Sequence, residues 1–455
     1  MLWKYLKLKM SDHLTSVVEE DCRSITYAEL ILKVEQLSKK LTGTCYAILC
    51  QSELNTAIAM LACLATQKTA IPLSHRYGEK HIEKILCKTH PEYLLTDDMG
   101  DLDVVQIGNP VTFDHRPALI MCTSGTSGAP KGVMLSEENI RSNVTDIRTY
   151  FELTENDRIL IVRPLYHAAA FTGEFLLALI TGTKIIFDSG NLNPSHLIDQ
   201  LIHKQITVFC GTPTLLSLTV RLLKGRGNQI SLRKIGVSGE CLSESAVQAI
   251  HKAFPTACIY PGYGLTEAAP RVAYLPPELA LIRPTCAGFF LPSVEGRIVD
   301  EHGNDVLDNS IGELVIRGPN IMMGYYEDQS ATENVLADGW LYTGDLAYMK
   351  DDLLYIQGRK DDLIIYAGMN IYPAEIENSL KKDPRVSEAV VYGIPDKLCG
   401  QTIGLKITGS FSSKSEILDM CNHLLAPYAR PKSVKWVDSL EKNGSGKLVR
   451  TGTDD

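Results

Sequence analysis

An apolar run, Pro117-Ala118-Leu119-Ile120-Met121, leads directly into Cys122-Thr123-Ser124-Gly125-Thr126-Ser127-Gly128-Ala129-Pro130-Lys131-Gly132. This stretch restricts the chain more than any other. The apolar run reads as a short buried strand, and Ser136 can cap a helix with Glu137 and Glu138 in its first turn. Between them lies a loop whose glycines permit positive φ and close approach to a ligand. Its free N–H groups can form an anion nest. Thr123, Ser124, Thr126 and Ser127 add hydroxyl donors, and Lys131 adds a point charge. That mixture suits a polyphosphate. A flexible linker would need neither the strand before nor the Pro-Lys after. A P-loop is excluded by spacing, because Ala129 follows Gly128 and Lys131 precedes Gly132.

A chain of 455 residues is too long for one compact core, so two or three domains are expected. The net charge of -9 argues against nucleic acid as a partner. An acidic protein that binds a polyphosphate must instead concentrate its positive charge in a few placed lysines and arginines. The twelve cysteines form no C-x-x-C pair and mostly lie in apolar runs, which reads as reduced, buried thiols and a cytoplasmic location. No apolar run reaches the roughly 18–20 residues of a membrane span. Residues 1–10 are basic, lack a long apolar stretch, and do not read as a signal peptide.

Strands alternate with helices through the first two-thirds of the chain. Residues 25–41 carry helical spacing, 45–50 and 70–73 read as strands, and 57–65 as a helix of small residues. Further strands are expected at 159–162, 184–187, 206–209, 232–237 and from 259. This order argues a parallel α/β sheet. Strand ends then recur as loops: Arg163-Pro164-Leu165-Tyr166-His167, Ser238-Gly239-Glu240, and Tyr263-Gly264-Leu265-Thr266-Glu267. In open α/β sheets ligands lie outside the carboxyl ends of strands, where these loops fall. A lone histidine such as His167 is also compatible with a satisfied core residue. From Gly288 the runs 295–300, 312–317 and 353–356 alternate like antiparallel strands. The charged Gly358-Arg359-Lys360-Asp361 reads as a boundary. The remainder reads as a small α+β unit with helices at 372–377 and 413–425.

Taken together these loops resemble the acyl-adenylate-forming enzymes, the superfamily of acyl- and aryl-CoA synthetases, peptide-synthetase adenylation domains and luciferases. The resemblance runs from about residue 25 to 450. It rests on the hydroxyl-rich loop 123–132, Tyr263-Gly264-Leu265-Thr266-Glu267, Thr343-Gly344-Asp345, Gly358-Arg359-Lys360-Asp361, the run 368–377 and Ser445-Gly446-Lys447. It implies an α/β fold: a large domain over residues 1–357, made of parallel α/β subdomains and a β subdomain, a hinge at 358–361, and a small mobile C-terminal α+β domain over 362–455. It assigns the β- and γ-phosphates to Thr123, Ser124, Gly125, Thr126, Ser127, Gly128 and Lys131. Adenine falls to Tyr263 and Gly264 with the Gly239-Glu240 turn, and the ribose to Asp345 with Arg359. Thr266 would bond the α-phosphate, Glu267 would bind Mg²⁺, and Lys447 would contact the α-phosphate and the substrate carboxylate. His167 joins Thr266, Glu267 and Lys447 as a catalytic candidate. Asp361 is the implied hinge residue, about which the small domain turns to withdraw Lys447 and bring Gly368 to a thiol tunnel. One departure is the missing proline ahead of Ser445, where Leu440-Glu441-Lys442-Asn443 stands.

The implied reaction activates a small carboxylic acid with ATP and passes the acyl group to a thiol. Ala168 occupies the place where amino-acid-activating members carry an aspartate, so an α-ammonium group would be left unpaired. Ala168, Ala169 and Phe171 would wall the acyl pocket, although these alanines could equally just pack a helix start. Arg271 could meet a polar substrate end or face solvent. A fatty acid, a benzoate and a succinylbenzoate-like acid all remain open. Coenzyme A is the expected acceptor, with a carrier-protein phosphopantetheine as the alternative. A luciferase-like oxygenase would need an emitter-forming substrate, and intact Glu267, Asp345 and Lys447 argue against a non-catalytic relic.

Overall fold

The structure, a computed structural model, describes residues 1–75, 77–98, 100–124, 130–188, 193–240, 242–367, 369–396, 399–441, 448 and 450. Two largely parallel sheets form the large domain. One has seven strands in the order Gly324–Tyr325, Pro130–Leu135, Leu119–Ser124, Thr69–Pro72, Cys45–Leu49, Tyr93–Asp98 and Asp101–Gln106. Its four strands from Leu119–Ser124 to Tyr93–Asp98 run parallel. The other has nine strands. Six run parallel in the order Cys258–Gly264, Lys234–Val237, Val208–Gly211, Arg158–Ile161, Lys184–Phe187 and Val17–Glu20. Antiparallel strands flank them, with Arg271–Tyr274 and Phe289–Phe290 on one side and Arg23–Thr26 on the other.

The helices begin where their capping residues dictate. Thr26 and Glu29 form a capping box for Tyr27–Ser38, so Ile25 and Thr26 close a strand and cap the helix rather than open it. Ser52 caps Glu53–Ala65, whose residues 54–64 are all buried, as an all-round apolar helix must be. Ser136 caps Glu137–Phe151 together with Asn139. The reading of the first ten residues misses an element: they form the helix Leu2–Met10, with Leu2, Leu6 and Met10 buried on one face. It packs on the helices Leu177–Thr181 and Glu53–Ala65.

The hydroxyl-rich loop does not run from a strand into a helix. It joins two antiparallel strands, Leu119–Ser124 and Pro130–Leu135, and the capped helix comes only after the second. The run Gly132-Val133-Met134-Leu135 is therefore a strand, with Val133 and Leu135 buried and Lys131 half-buried.

After residue 288 a five-stranded antiparallel sheet follows. Trp340–Lys350 lies at its centre between Gly312–Arg317 and Leu353–Arg359. The smaller C-terminal domain has its own sheet of Met369–Ile371, Ile364–Tyr366, Gly400–Gly409 and Val386–Asp396, with Ser433–Trp436 alongside. Its separate core includes Ile364, Leu380, Leu405 and Ile417. The described cysteines are all free. Among the described residues no helix is long and apolar enough to cross a membrane.

Candidate active site

The hairpin sets Thr123 opposite Lys131, and Thr123 Oγ1 donates to the Lys131 carbonyl at 3.5 Å. The short strand Gly324–Tyr325 pairs with the far side of the hairpin and puts Tyr325 beside Val133. Lys131 Nζ consequently lies 4.9 Å from the centroid of the Tyr325 ring, a cation–π contact. The Tyr325 hydroxyl donates to Glu267 Oε1 at 2.9 Å. Burial, with Glu267 beside it, pushes that hydroxyl far above the usual tyrosine range, so it stays a neutral donor. The Glu267 carbonyl is held separately by Met322 N at 2.9 Å. One carboxylate is thus tied through one tyrosine to the lysine of the hydroxyl-rich loop.

The same turn leads to the third sheet. Cys258–Gly264 ends in the tight turn Thr266–Ala268, with Thr266 and Glu267 half-buried. Tyr263, at the end of that strand, donates its hydroxyl to Asp345 Oδ2 at 2.5 Å. Burial and the neighbouring Asp345 raise the Tyr263 hydroxyl well above its ordinary value. Asp345 faces Arg359 across paired strands, and Arg359 Nη1 donates to Asp345 Oδ1 at 3.3 Å and to the Thr343 carbonyl at 2.8 Å. Gly344 makes room for this: its φ is +69°, and a Cβ there would lie 2.7 Å from Arg359 Nη2. Two runs of contacts result, Lys131–Tyr325–Glu267 and Tyr263–Asp345–Arg359, joined through the backbone between Tyr263 and Glu267.

The remaining predicted residues surround this line. Gly239 takes φ +100°, and Glu240 accepts from Thr214 Oγ1 at 2.7 Å. His167 caps the short helix Ala168–Ala170, with its ring 4.1 Å from that of Tyr166. Ala168 is buried and Ala169 half-buried, while Phe171 is fully buried against Phe175 in the core. Phe171 is thus a core residue rather than a pocket wall, because the helix it starts turns inward. Asp361 lies in the single turn Lys360–Asp362, 3.9 Å from Arg359 Nη2. Gly125, Thr126, Ser127, Gly128, Gly368 and Lys447 lie outside the described residues.

Among the described residues no group of three or more His, Cys, Asp and Glu could hold a metal. Glu267 offers one half-buried carboxylate fixed by Tyr325. That donor set fits Mg²⁺ completed by substrate phosphates rather than an all-protein cage. Sequence reasoning missed Tyr325, which stands in a Gly-Tyr-Tyr run with nothing local to single it out.

Residues 104–326 match the AMP-binding enzyme family, and residues 375–447 match the AMP-binding enzyme C-terminal domain. A feruloyl-CoA synthase from Amycolatopsis sp is 30% identical over 98% of this chain and 97% of its own length. A 2-succinylbenzoate–CoA ligase from Bacillus velezensis is 30% identical over 98% of this chain and 96% of its own. The o-succinylbenzoate coenzyme A synthetase of Bacillus subtilis, solved with its acyl-adenylate intermediate, superposes with a TM-score of 0.87 at 26% identity, covering 99% of this chain and 98% of that one. The same enzyme with ATP and magnesium ion gives 0.84 at 27% identity, covering 98% of each chain. With its full-length relatives and its two matched regions, the chain belongs to the AMP-binding enzyme family.

Proposed function

We propose that this acid–thiol ligase takes an aryl carboxylic acid, and that the contacts from Lys131 to Arg359 form its nucleotide cleft. The reaction has two halves. A substrate carboxylate oxygen attacks the α-phosphorus of ATP, and the bond to pyrophosphate breaks. The coenzyme A thiol, losing its proton, then attacks the acyl carbon, and AMP leaves with the oxygen. The carboxylate is already ionised at neutral pH, so positioning and charge neutralisation carry the first half. Lys131 and the loop before it hold the outer phosphates, and Thr266 meets the α-phosphate. Asp345 and Arg359 hold the ribose, with Tyr263 fixing Asp345. A bound Mg²⁺ on Glu267 would neutralise charge on the phosphates. His167, Ala168 and Ala169 flank the acid. Lys447 meets the α-phosphate in the first half, and Gly368 replaces it at a thiol tunnel after the small domain turns about Asp361. The work is placed in the cytoplasm, where coenzyme A and reduced thiols coexist.

The observation that carries this reading is that the contacts Lys131–Tyr325–Glu267 and Tyr263–Asp345–Arg359 start from the two ends of one short turn, Tyr263 to Glu267. The aryl preference draws on the feruloyl and succinylbenzoate ligases, which align with nearly the whole chain. The test is pyrophosphate release over a panel of carboxylic acids, with and without coenzyme A. Acid-dependent pyrophosphate, with AMP and thioester only when coenzyme A is present, is expected. Release that ignores the acid would overturn it.

Tyr325 gives a second check. Tyr325→Phe removes the bond to Glu267 but keeps the ring under Lys131. A hydrogen bond to a charged group is worth about 1.5–3 kcal/mol, so activity at limiting Mg²⁺ should fall roughly tenfold or more. Saturating Mg²⁺ should recover most of it, measured as the Mg²⁺ dependence of pyrophosphate release.

A further inference from the structure

One arginine has all three of its guanidinium nitrogens engaged within the small domain. Arg450 Nη2 donates to Glu377 Oε2 at 2.9 Å, while Nη1 donates to Glu377 Oε1 and, at 3.1 Å, to the Val391 carbonyl. Its Nε lies 3.3 Å from Asp362 Oδ2. The paired bonds to Glu377 form a fork that a planar guanidinium makes and an ammonium does not. Glu377 belongs to the helix Pro373–Leu380 and is buried. Its Oε1 also accepts from Val391 N at 2.8 Å. Val391 lies in an outer strand of the small-domain sheet, Val386–Asp396, and this ion pair satisfies both its N–H and its C=O. Asp362 closes the turn Lys360–Asp362, which precedes that sheet. One side chain thus ties together a turn, a helix and a strand.

A second contact lies two residues earlier. Leu448 packs against the cluster of Val390, Tyr392 and Leu440. Val390 and Tyr392 flank Val391, so Leu448 and Arg450 grip the same strand. Leu448 directly follows Lys447, and Arg450 stands three residues after it. Covalent geometry keeps successive Cα atoms about 3.8 Å apart. A lysine whose next residue is docked on the domain is tethered to that domain. A stretch that only trailed over the surface would need no guanidinium fork on a buried carboxylate, whose desolvation is costly.

We propose that Arg450 is a positioning residue for the acid-activating half-reaction: it clamps the tail to the small domain, so that Lys447 moves with that domain and meets the α-phosphate already placed. This rests on the ligase reading above, in which Lys447 acts only in the first half. A lysine on a loose tail would have to be ordered anew in each turnover, and placing it beforehand removes that entropic barrier. The second half does not use Lys447, so it does not need the clamp. Glu377 and Asp362 act through Arg450.

Two assays of the intact chain test this, with wild type and Lys447→Ala alongside. One is ATP–pyrophosphate exchange driven by ferulate, 2-succinylbenzoate or decanoate. The other is thioester formation from coenzyme A and the supplied adenylate of the most active of these acids. Arg450→Met should slow exchange by roughly 10- to 100-fold, as misplacing a reacting group does, and leave thioester formation within about threefold of wild type. Arg450→Lys keeps the charge without the fork and should regain only part of the exchange rate. The double variant Arg450→Met, Glu377→Gln should behave like Arg450→Met. It leaves no unpaired buried charge and still accepts from Val391 N, so it decides the matter if the single variant does not fold. Equal loss in both assays makes the clamp purely structural and overturns the proposal, as does exchange at the wild-type rate, while the ligase reading stands. If no acid drives exchange, or Lys447→Ala leaves it unchanged, the proposal falls together with the reading beneath it.

Discussion

Replacing Glu267 by alanine should lower acyl-adenylate formation by roughly 10²–10³-fold, the scale at which a group stabilising developing charge acts. The reason lies in how the residue is held. Its main chain is fixed in the Thr266–Ala268 turn by the Met322 amide, so the turn survives without the side chain. The carboxylate's own partner is the Tyr325 hydroxyl at 2.9 Å. Losing that one hydrogen bond to a charged group costs about 1.5–3 kcal/mol, which moves the melting temperature by only a few degrees in a domain of this size. Activity and stability therefore separate. Glu267→Gln sharpens the point: it can still accept from Tyr325 but carries no charge. If Glu267 holds Mg²⁺, the glutamine variant is nearly as slow as the alanine one, and added Mg²⁺ restores neither. If it merely props Tyr325, glutamine restores the rate. Pyrophosphate release titrated with Mg²⁺ in both variants separates the two roles.

The parts of this site that were legible in the sequence are those where backbone chemistry forces residue choice. Gly344 and Gly239 adopt left-handed φ as short turns require, while the roles of their neighbours Asp345 and Glu240 came only from the resemblance of the motifs. Caps at Ser136 and Ser413 begin their helices as side-chain chemistry demands, whereas the helix expected from residue 57 starts four residues earlier, at Glu53 behind Ser52. The hairpin strand Pro130–Leu135 was not legible, because Val133-Met134-Leu135 is too short to declare a period and a good cap follows at Ser136. Tyr325 was hidden for a different reason. Its role depends on pairing with a hairpin nearly two hundred residues earlier in the chain, which places it over Glu267. Phe171 was misread because its aromatic ring fits either a pocket or a core. The helix that begins at Ala168 settles the choice by burying it against Phe175. Glu174 is the hardest case, being a carboxylate inside an apolar run whose partner lies eleven residues earlier, beyond any regular helical spacing.

Arg163→Met should destabilise the protein by about 3–5 kcal/mol, the usual cost of leaving one member of a buried ion pair alone. At roughly 2 °C per kcal/mol for a domain of this size, the melting temperature should fall by roughly 6–10 °C. The loss should also depend on pH. Burial raises the Glu174 carboxyl, and Arg163 beside it opposes that rise. Without Arg163 the folded carboxyl rises further above its unfolded value. A group raised in this way is fully tolerated below its unfolded value and costs more as pH climbs toward the folded one. The deficit of the variant against wild type should therefore grow between pH 5 and pH 8, as read by thermal melts. Arg163→Met combined with Glu174→Leu removes both charges and keeps the volume, and should recover most of the lost melting temperature, since apolar replacement of a buried pair is often neutral. A double variant that melts no higher than Arg163→Met alone would mean that the orphaned Glu174 carboxylate is not what costs the single variant its stability.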